Sequence, residues 1–239
     1  MRKPWVLALA AGVIVLLVAL ALPLLRMGGG SGLPDDEGAP RTGLPWQVNR
    51  LPDGRAQVFG LEPGRDTLAQ VQARLGDVLQ VALVARLGET GALEALADPF
   101  MAGFVAGRLV LAFDVPPAQL RAWADGAASS EPMDGGVRRF KLRAEHRAQA
   151  AQARLVGLSF IPAVRLTDSD VRQRFGAPAE TLAQPGDAQV LLYPELGLSI
   201  SVAPGQRGVL QYVAPREFGP RLRAPLLAAL EAPAAPSLR

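Results

Sequence analysis

Few residues in this sequence are equipped for chemistry. The only histidine, His146, lies in Glu145-His146-Arg147, where it could serve as a general base oriented by a carboxylate. Adjacent residues on a helix point about 100° apart, so Glu145 is badly placed for that task. No Gly-x-Ser-x-Gly nucleophile elbow occurs anywhere in the chain. There is no cysteine, which excludes disulfides, a thiol nucleophile, a lipid-carrying cysteine and thiolate-held zinc. One histidine excludes a multi-histidine metal site. The acidic run Asp35-Asp36-Glu37 lacks the spacing of a calcium loop, and Gly28-Gly29-Gly30-Ser31-Gly32 lacks the Gly-Lys-Ser/Thr ending of a phosphate loop. No cofactor, metal or catalytic residue is expected. A hydrolase using His146 or paired carboxylates is the enzymatic alternative.

The candidate binding residues are basic. Arg138, Arg139, Lys141 and Arg143, with Arg147 beyond them, form the one dense cationic cluster. It reads either as a patch for a polyanion, such as lipid headgroups or phosphorylated glycans, or as the solvated face of a strand. The isoelectric point near 9.9 looks like a nucleic-acid signal, but the charge map removes it. Arg2, Lys3 and Arg26 carry the whole excess of +3, and the other 22 basic residues face 22 acids. Beyond residue 26 there is no net field to draw in a nucleic acid, so none is expected as a partner.

Residues 5–25 are 21 positions without a charge. As a helix rising ~1.5 Å per residue they span about 31 Å, enough for a hydrocarbon core of roughly 30 Å. Arg2 and Lys3 precede the run, while Asp35, Asp36 and Glu37 follow Arg26. Positive charge stays in the cytoplasm, so the expected topology is a single-pass inner-membrane anchor with the body in the periplasm. The competing reading is a cleaved signal peptide, since Ala19-Leu20-Ala21 fits an A-x-A site. Against that, the apolar run continues through Leu22, Leu24 and Leu25. Gly, Ser and Pro then dominate up to about residue 50, which predicts a flexible linker.

The body carries an internal repeat at an offset of one hundred residues. Arg65, Thr67, Val71, Arg74, Leu75 and Gly76 correspond to Arg165, Thr167, Val171, Arg174, Phe175 and Gly176. Each copy predicts a strand (58–61 or 158–161), a turn, a helix capped by Thr67 or Thr167, and a Gly stop in the left-handed conformation. Gln70 and Asp170 occupy the capping-box position. The acids near each helix start and the arginines in each last turn suit the helix dipole. Apolar runs at 78–86 and 107–115, and at 189–193, 197–202 and 208–213, predict antiparallel strands. Segment 93–104 is ambiguous, because Glu94-Ala95-Leu96 suits a helix and Asp98-Pro99 breaks one. A short helix is expected over 118–124 and a strand over 137–143. An Ala-rich helix fits 144–155, and the Leu-bearing tail after Phe218 fits an amphipathic turn or no fixed structure.

The stretch Leu166-Thr167, Val171-Arg172-Gln173-Arg174-Phe175-Gly176-Ala177-Pro178, followed by Val190-Leu191-Leu192-Tyr193 and Val209-Leu210-Gln211-Tyr212, resembles the SmpA/OmlA (BamE-like) envelope-protein fold. Tandem copies resemble the two-unit architecture of the beta-lactamase-inhibitor protein. The expected fold is α+β: the N-terminal transmembrane helix read from the uncharged run, then the two tandem helix-on-antiparallel-sheet units that the resemblance implies. The expected divisions are a transmembrane anchor (1–26), a flexible linker (27–54), repeat one (55–130), repeat two (131–218) and a C-terminal tail (219–239). The resemblance implies a non-catalytic binding or scaffolding module; the expected partners are the membrane, through residues 5–25, and an unidentified envelope protein or polymer. The strand over 137–143 is expected to join the two units and to edge a binding groove between them. A reporter fused after Arg239 should be active only in the periplasm, with the mature N-terminus retained at Met1 or Arg2. Recovery of a soluble chain beginning at Leu22 would establish cleavage instead.

Overall fold

The computed structural model describes residues 43–86 and 89–231. The expected anchor and the first part of the linker lie outside the described residues, and among the described ones no helix is long and apolar enough to cross a membrane. The fold is α+β, with one large antiparallel sheet and a few short helices. From edge to edge its ten strands run β6 (Ser129–Pro132), β7 (Val137–Lys141), β3 (Gln80–Arg86), β4 (Ala92–Ala102), β5 (Val105–Asp114), β8 (Arg154–Pro162), β12 (Val209–Val213), β11 (Leu198–Val202), β10 (Ala188–Tyr193) and β9 (Glu180–Gln184). A separate two-stranded hairpin pairs β1 (Asn49–Arg50) with β2 (Ala56–Gln57).

Alternation along the strands sorts side chains to two faces. Leu83, Leu93, Leu111, Leu158 and Leu191 point to one face. Four helices cover it: α1 (Leu68–Leu75), α2 (Pro117–Asp125), α3 (Ala144–Ala150) and α4 (Asp168–Phe175). Leu68, Val71 and Leu75 are the buried stripe of α1, and Val171 plays that part in α4. The second face is covered over β10 and β12 by the chain's last described segment. There Phe218, Leu222 and Leu226 pack on Val190, Leu192 and Val213, through a π-turn (Gly219–Arg223) and α5 (Ala224–Glu231). Arg223 ties this segment to Glu180 by two hydrogen bonds of 2.7 and 3.1 Å. The tail is therefore a docked helix as far as Glu231.

Both expected capping boxes form. Thr67 Oγ1 accepts from the Gln70 amide at 3.4 Å while Gln70 Oε1 accepts from the Thr67 amide at 2.8 Å. In the second box the distances are 3.1 Å from the Asp170 amide and 3.0 Å to its carboxylate. Bonds from the Thr167 hydroxyl and amide, and then from Arg174, hold the Asp170 carboxyl below the usual carboxylate range. The terminating Gly76 and Gly176 have φ of 70° and 80° as expected, but ψ of −154° and −167°. That is an extended positive-φ conformation open essentially to Gly alone, not the compact left-handed helix.

One ambiguity is resolved and two expectations are corrected. Segment 93–104 is strand as far as Ala102 and then the turn of a hairpin: β4 pairs with β5 along its length and with β3 up to Leu96, and Asp98-Pro99 is absorbed as a register shift between Ala97 and Phe100. The Ala-rich helix stops at Ala150, because β8 takes over from Arg154 and pairs with β5. Most consequential, 58–61 is not a strand like 158–161. Val58 and Leu61 exchange backbone hydrogen bonds of 3.0 and 2.8 Å across Phe59 and Gly60, which have φ of 55° and 73°. Two consecutive positive φ values are the signature of a tight type I′ turn.

Holding Phe59 at positive φ costs of order 1–3 kcal/mol. Its buried ring offsets that. Edge-to-face contacts join it to Phe100 (5.4 Å), Phe160 (5.5 Å) and Tyr212 (6.0 Å), each worth about 0.5–1.5 kcal/mol beyond burial. These rings come from β4, β8 and β12, so one turn residue clamps strands on both sides of the β5–β8 pair. Phe59→Ala should cost about 3–5 kcal/mol of unfolding free energy, as a deleted core aromatic does. Thr67→Ala and Thr167→Ala should each cost roughly 1 kcal/mol. Urea unfolding of the three variants measures both figures, and equal losses at all three positions would show that Phe59 is not a clamp.

Candidate functional site

The structure separates the basic cluster from the place the sequence assigned to it. β7 does not lie between the two halves of the sheet. It pairs with β3, and its other neighbour is the edge strand β6. Four strand spacings of ~4.8 Å put it about 19 Å from β8. The junction is made instead by β5 against β8, with a register from Gly107↔Pro162 to Asp114↔Arg154. The segment ahead of α1 reinforces it: Leu155 N donates to Asp66 O and Gly64 N to Leu155 O, both at 2.7 Å. On the sheet's edge, Arg139 pairs with Glu131 at 2.7 Å and Arg138 donates to Ser130 Oγ at 2.7 Å. Lys141 and Arg143 are exposed and make no ion pair among the described residues.

On the helix-covered face, the chain itself packs against the junction of the halves. The segment ahead of α1 touches the junction at two points: Phe59 is buried among the rings of β4, β8 and β12, and the buried Tyr212 hydroxyl donates to the Pro45 carbonyl at 2.8 Å. Burial pushes the Tyr212 phenol far above its ordinary range, so it stays a donor. Arg50 reaches Glu195 at 2.9 Å. The last dozen residues of the expected linker, from 43 to 54, thus belong to the body.

His146 lies on α3 with its ring stacked on Trp123 of α2, centroids 6.1 Å apart and planes 27° apart. Trp123 Nε1 donates to Gln149 Oε1 at 3.2 Å, which fixes the indole beneath it. His146 Nδ1 is buried and makes no hydrogen bond, and Glu145 points to solvent. The arrangement is an interhelical packing contact. No group of three or more His, Cys, Asp or Glu with metal-site geometry occurs among the described residues.

Sequence reasoning missed the most unusual polar group. Glu94 of β4 is only 8 % exposed, and one carboxylate oxygen has no hydrogen-bond partner. It points to the face opposite α1–α4, among small residues: Ala82 across β3, Ala112 across β5 and, beyond that, Gly157 of β8. Two residues along the same face, the register aligns Leu96, Val110, Ser159, Gln211, Ser199 and Leu192 in one transverse row. Ser159 Oγ and Gln211 Nε2 in that row are also buried without partners, while Ser199 donates weakly to Gln211 Oε1 at 3.5 Å. Burial pushes the Glu94 carboxyl up to about 8. The signal was present in Ala92-Leu93-Glu94-Ala95-Leu96, but it becomes visible only once the segment is strand. As a helix, Glu94 would sit on a solvent face.

No family model matches this chain, no curated protein matches it, and no solved structure matches it.

Glu94 makes stability depend on pH with a definite sign. In the unfolded chain a glutamate ionises near 4.5; in the folded body Glu94 holds its proton until about 8. Between those values the unfolded state has released a proton that the native state keeps, so stability falls as pH rises through the window. At about 1.4 kcal/mol per pKa unit, the loss amounts to several kcal/mol. The urea midpoint should fall steadily between pH 5 and pH 8, and Glu94→Gln should remove that slope. Parallel profiles for the two proteins would show that Glu94 is ionised in the fold.

Proposed function

We propose that this chain is a single-pass inner-membrane protein whose periplasmic body is a non-catalytic binding or scaffolding module for an envelope protein or polymer. On this reading residues 5–25 are the anchor, and the body consists of two tandem BamE-like units fused through β5 and β8. The observation that carries the reading is the uncharged run of 21 residues, with positive charge on its N-terminal side, ahead of a body with no net charge. The matched pair of Thr-capped, Gly-terminated helices lying over one sheet supports the two-unit view. The turn at 58–61 is where the first unit departs from the second.

The non-catalytic reading is supported by where the reactive residues sit. His146 is stacked on Trp123, and its Nδ1 is buried without a hydrogen-bond partner. The exposed cations on and beyond β7 are the preferred contact surface. They flank an edge strand whose four residues are all exposed. Arg139 is already paired across the strands, so Lys141 and Arg143 are the charges free to meet an anionic partner.

Lys141→Glu with Arg143→Glu should weaken capture of the native partner severalfold while leaving the melting temperature nearly unchanged, since neither residue pairs in the body. His146→Ala should keep the wild-type phenotype. Crosslinking in the intact envelope followed by mass spectrometry reads the first, and complementation reads the second. A His146→Ala protein of normal fold and abundance that fails to complement would move the hydrolase ahead.

A further inference from the structure

We infer that one end of the body rests on the membrane, with Phe104 and Val164 inserted into the headgroup layer of a phospholipid surface; this deepens the reading of residues 5–25 as an anchor and rests on it. Phe104 is 76 % exposed and Val164 is 57 % exposed, the two most exposed large apolar side chains among the described residues. They are neighbours. Phe104 forms the tip of the β4–β5 hairpin, and Val164 follows β8 in a loop tied to that hairpin by Ala163 N donating to Ala106 O at 2.8 Å. The hairpin also projects beyond the sheet on one side. Gln80, the first residue of β3, lies opposite Leu96, so β4 from Ala97 onward has no partner from β3.

The tip is backed rather than loose. Trp46 packs edge-on against Phe104 with centroids 6.1 Å apart, and the Arg174 guanidinium lies 4.9 Å from the centre of the Trp46 ring. Trp46 also marks where the tether meets the body, three positions after the first described residue. Sixteen residues, 27–42, separate Arg26 from Gly43. A Gly- and Ser-bearing chain of that length spans on average about 22 Å, and at full stretch about 54 Å. On the anchored reading, the end of the body with Trp46 is thus the end held near the bilayer.

One Phe and one Val are too little to hold a free domain on a membrane. A tethered domain needs far less, because the anchor supplies a high effective concentration at the surface. Aromatic rings favour the membrane–water interface, and Trp46 stands directly behind the tip. Charge at this end does not oppose the contact. Arg165, beside Val164, and Arg207, in the β11–β12 loop, make no ion pair among the described residues, while Asp98 is neutralised by Arg108. The acids lining the same hollow as Arg165 are Asp168, which Arg172 pairs at 2.7 Å, and Asp187 in the β9–β10 turn, so the balance slightly favours anionic lipid.

The absence of cysteine makes the test direct. Val164→Cys and, at the opposite end of the strands, Asp134→Cys are each labelled with an environment-sensitive nitrobenzoxadiazole in the full chain. The labelled chains are then reconstituted into phosphatidylethanolamine/phosphatidylglycerol vesicles. The probe at 164 should shift to the blue and be quenched severalfold by headgroup-proximal nitroxide lipid, while the probe at 134 stays water-like. Phe104→Ser should reduce the quenching at 164 without releasing the protein from floated vesicles. Flotation with two water-like probes would overturn the inference and leave the anchor standing. A shielded probe at 164 that nitroxide lipid does not quench would overturn it in favour of a protein contact. Failure to float would remove the anchor, and the inference with it.

Discussion

The body depends on one ring in an unfavourable backbone conformation. Phe59 is held at a φ of 55° and buried against Phe100, Phe160 and Tyr212. Phe100 belongs to the first half of the sheet, and Phe160 and Tyr212 to the second. Backbone hydrogen bonds between β5 and β8 join the halves as a ladder, but a ladder alone permits twisting about the junction. A side chain wedged across it from the covered face does not. The strain at Phe59 is smaller than the sum of three aromatic contacts and a buried ring, so the turn forms because the cluster exists. The same cluster positions Tyr212, whose hydroxyl holds Pro45 and so fixes where the preceding chain reaches the body.

That arrangement changes where recognition can occur. Two helix-on-sheet halves side by side leave a concave seam between their helices, and such seams are where ligands usually settle. Here Phe59 and the Pro45 carbonyl, from the segment ahead of α1, pack against the junction. On the proposed reading, recognition falls to two exposed surfaces away from that junction. One is the β6 edge beside Lys141 and Arg143, the other the hairpin end with Phe104 and Val164. They lie on different elements, so a protein or polymer partner and a lipid surface would not compete on the proposed reading.

Much of this architecture was legible in local sequence. The two Thr caps, the positions of the Gly stops, the helix after Pro116-Pro117 and seven of the strands follow from short-range patterns that tertiary contacts then reinforce. What was not legible depended on pairing partners. Glu94-Ala95-Leu96 suits a helix in isolation and becomes strand because β3 and β5 claim both of its edges. The Phe59-Gly60 turn breaks the repeat for a reason no local pattern contains, namely three rings arriving from elsewhere. The basic strand was read correctly as a strand, but its neighbour was not. Alternation says which face a residue takes and nothing about which strand lies beside it.

The uncovered polar groups show the limit of this reasoning from another side. Glu94, Ser159 and Gln211 lie on the face opposite the four helices, yet each leaves a buried polar atom without a partner. An isolated pair of such atoms would be a local packing cost. Three on one face, spanning β4, β8 and β12, cross the same junction that Phe59 clamps from the other side. The carboxyl tolerates the site by keeping its proton, which removes the charge but not the need for a hydrogen bond. The junction is therefore tight on its aromatic face and polar but unsatisfied on the other. Of the two, the aromatic face holds the halves together, and the polar face spends part of that stability.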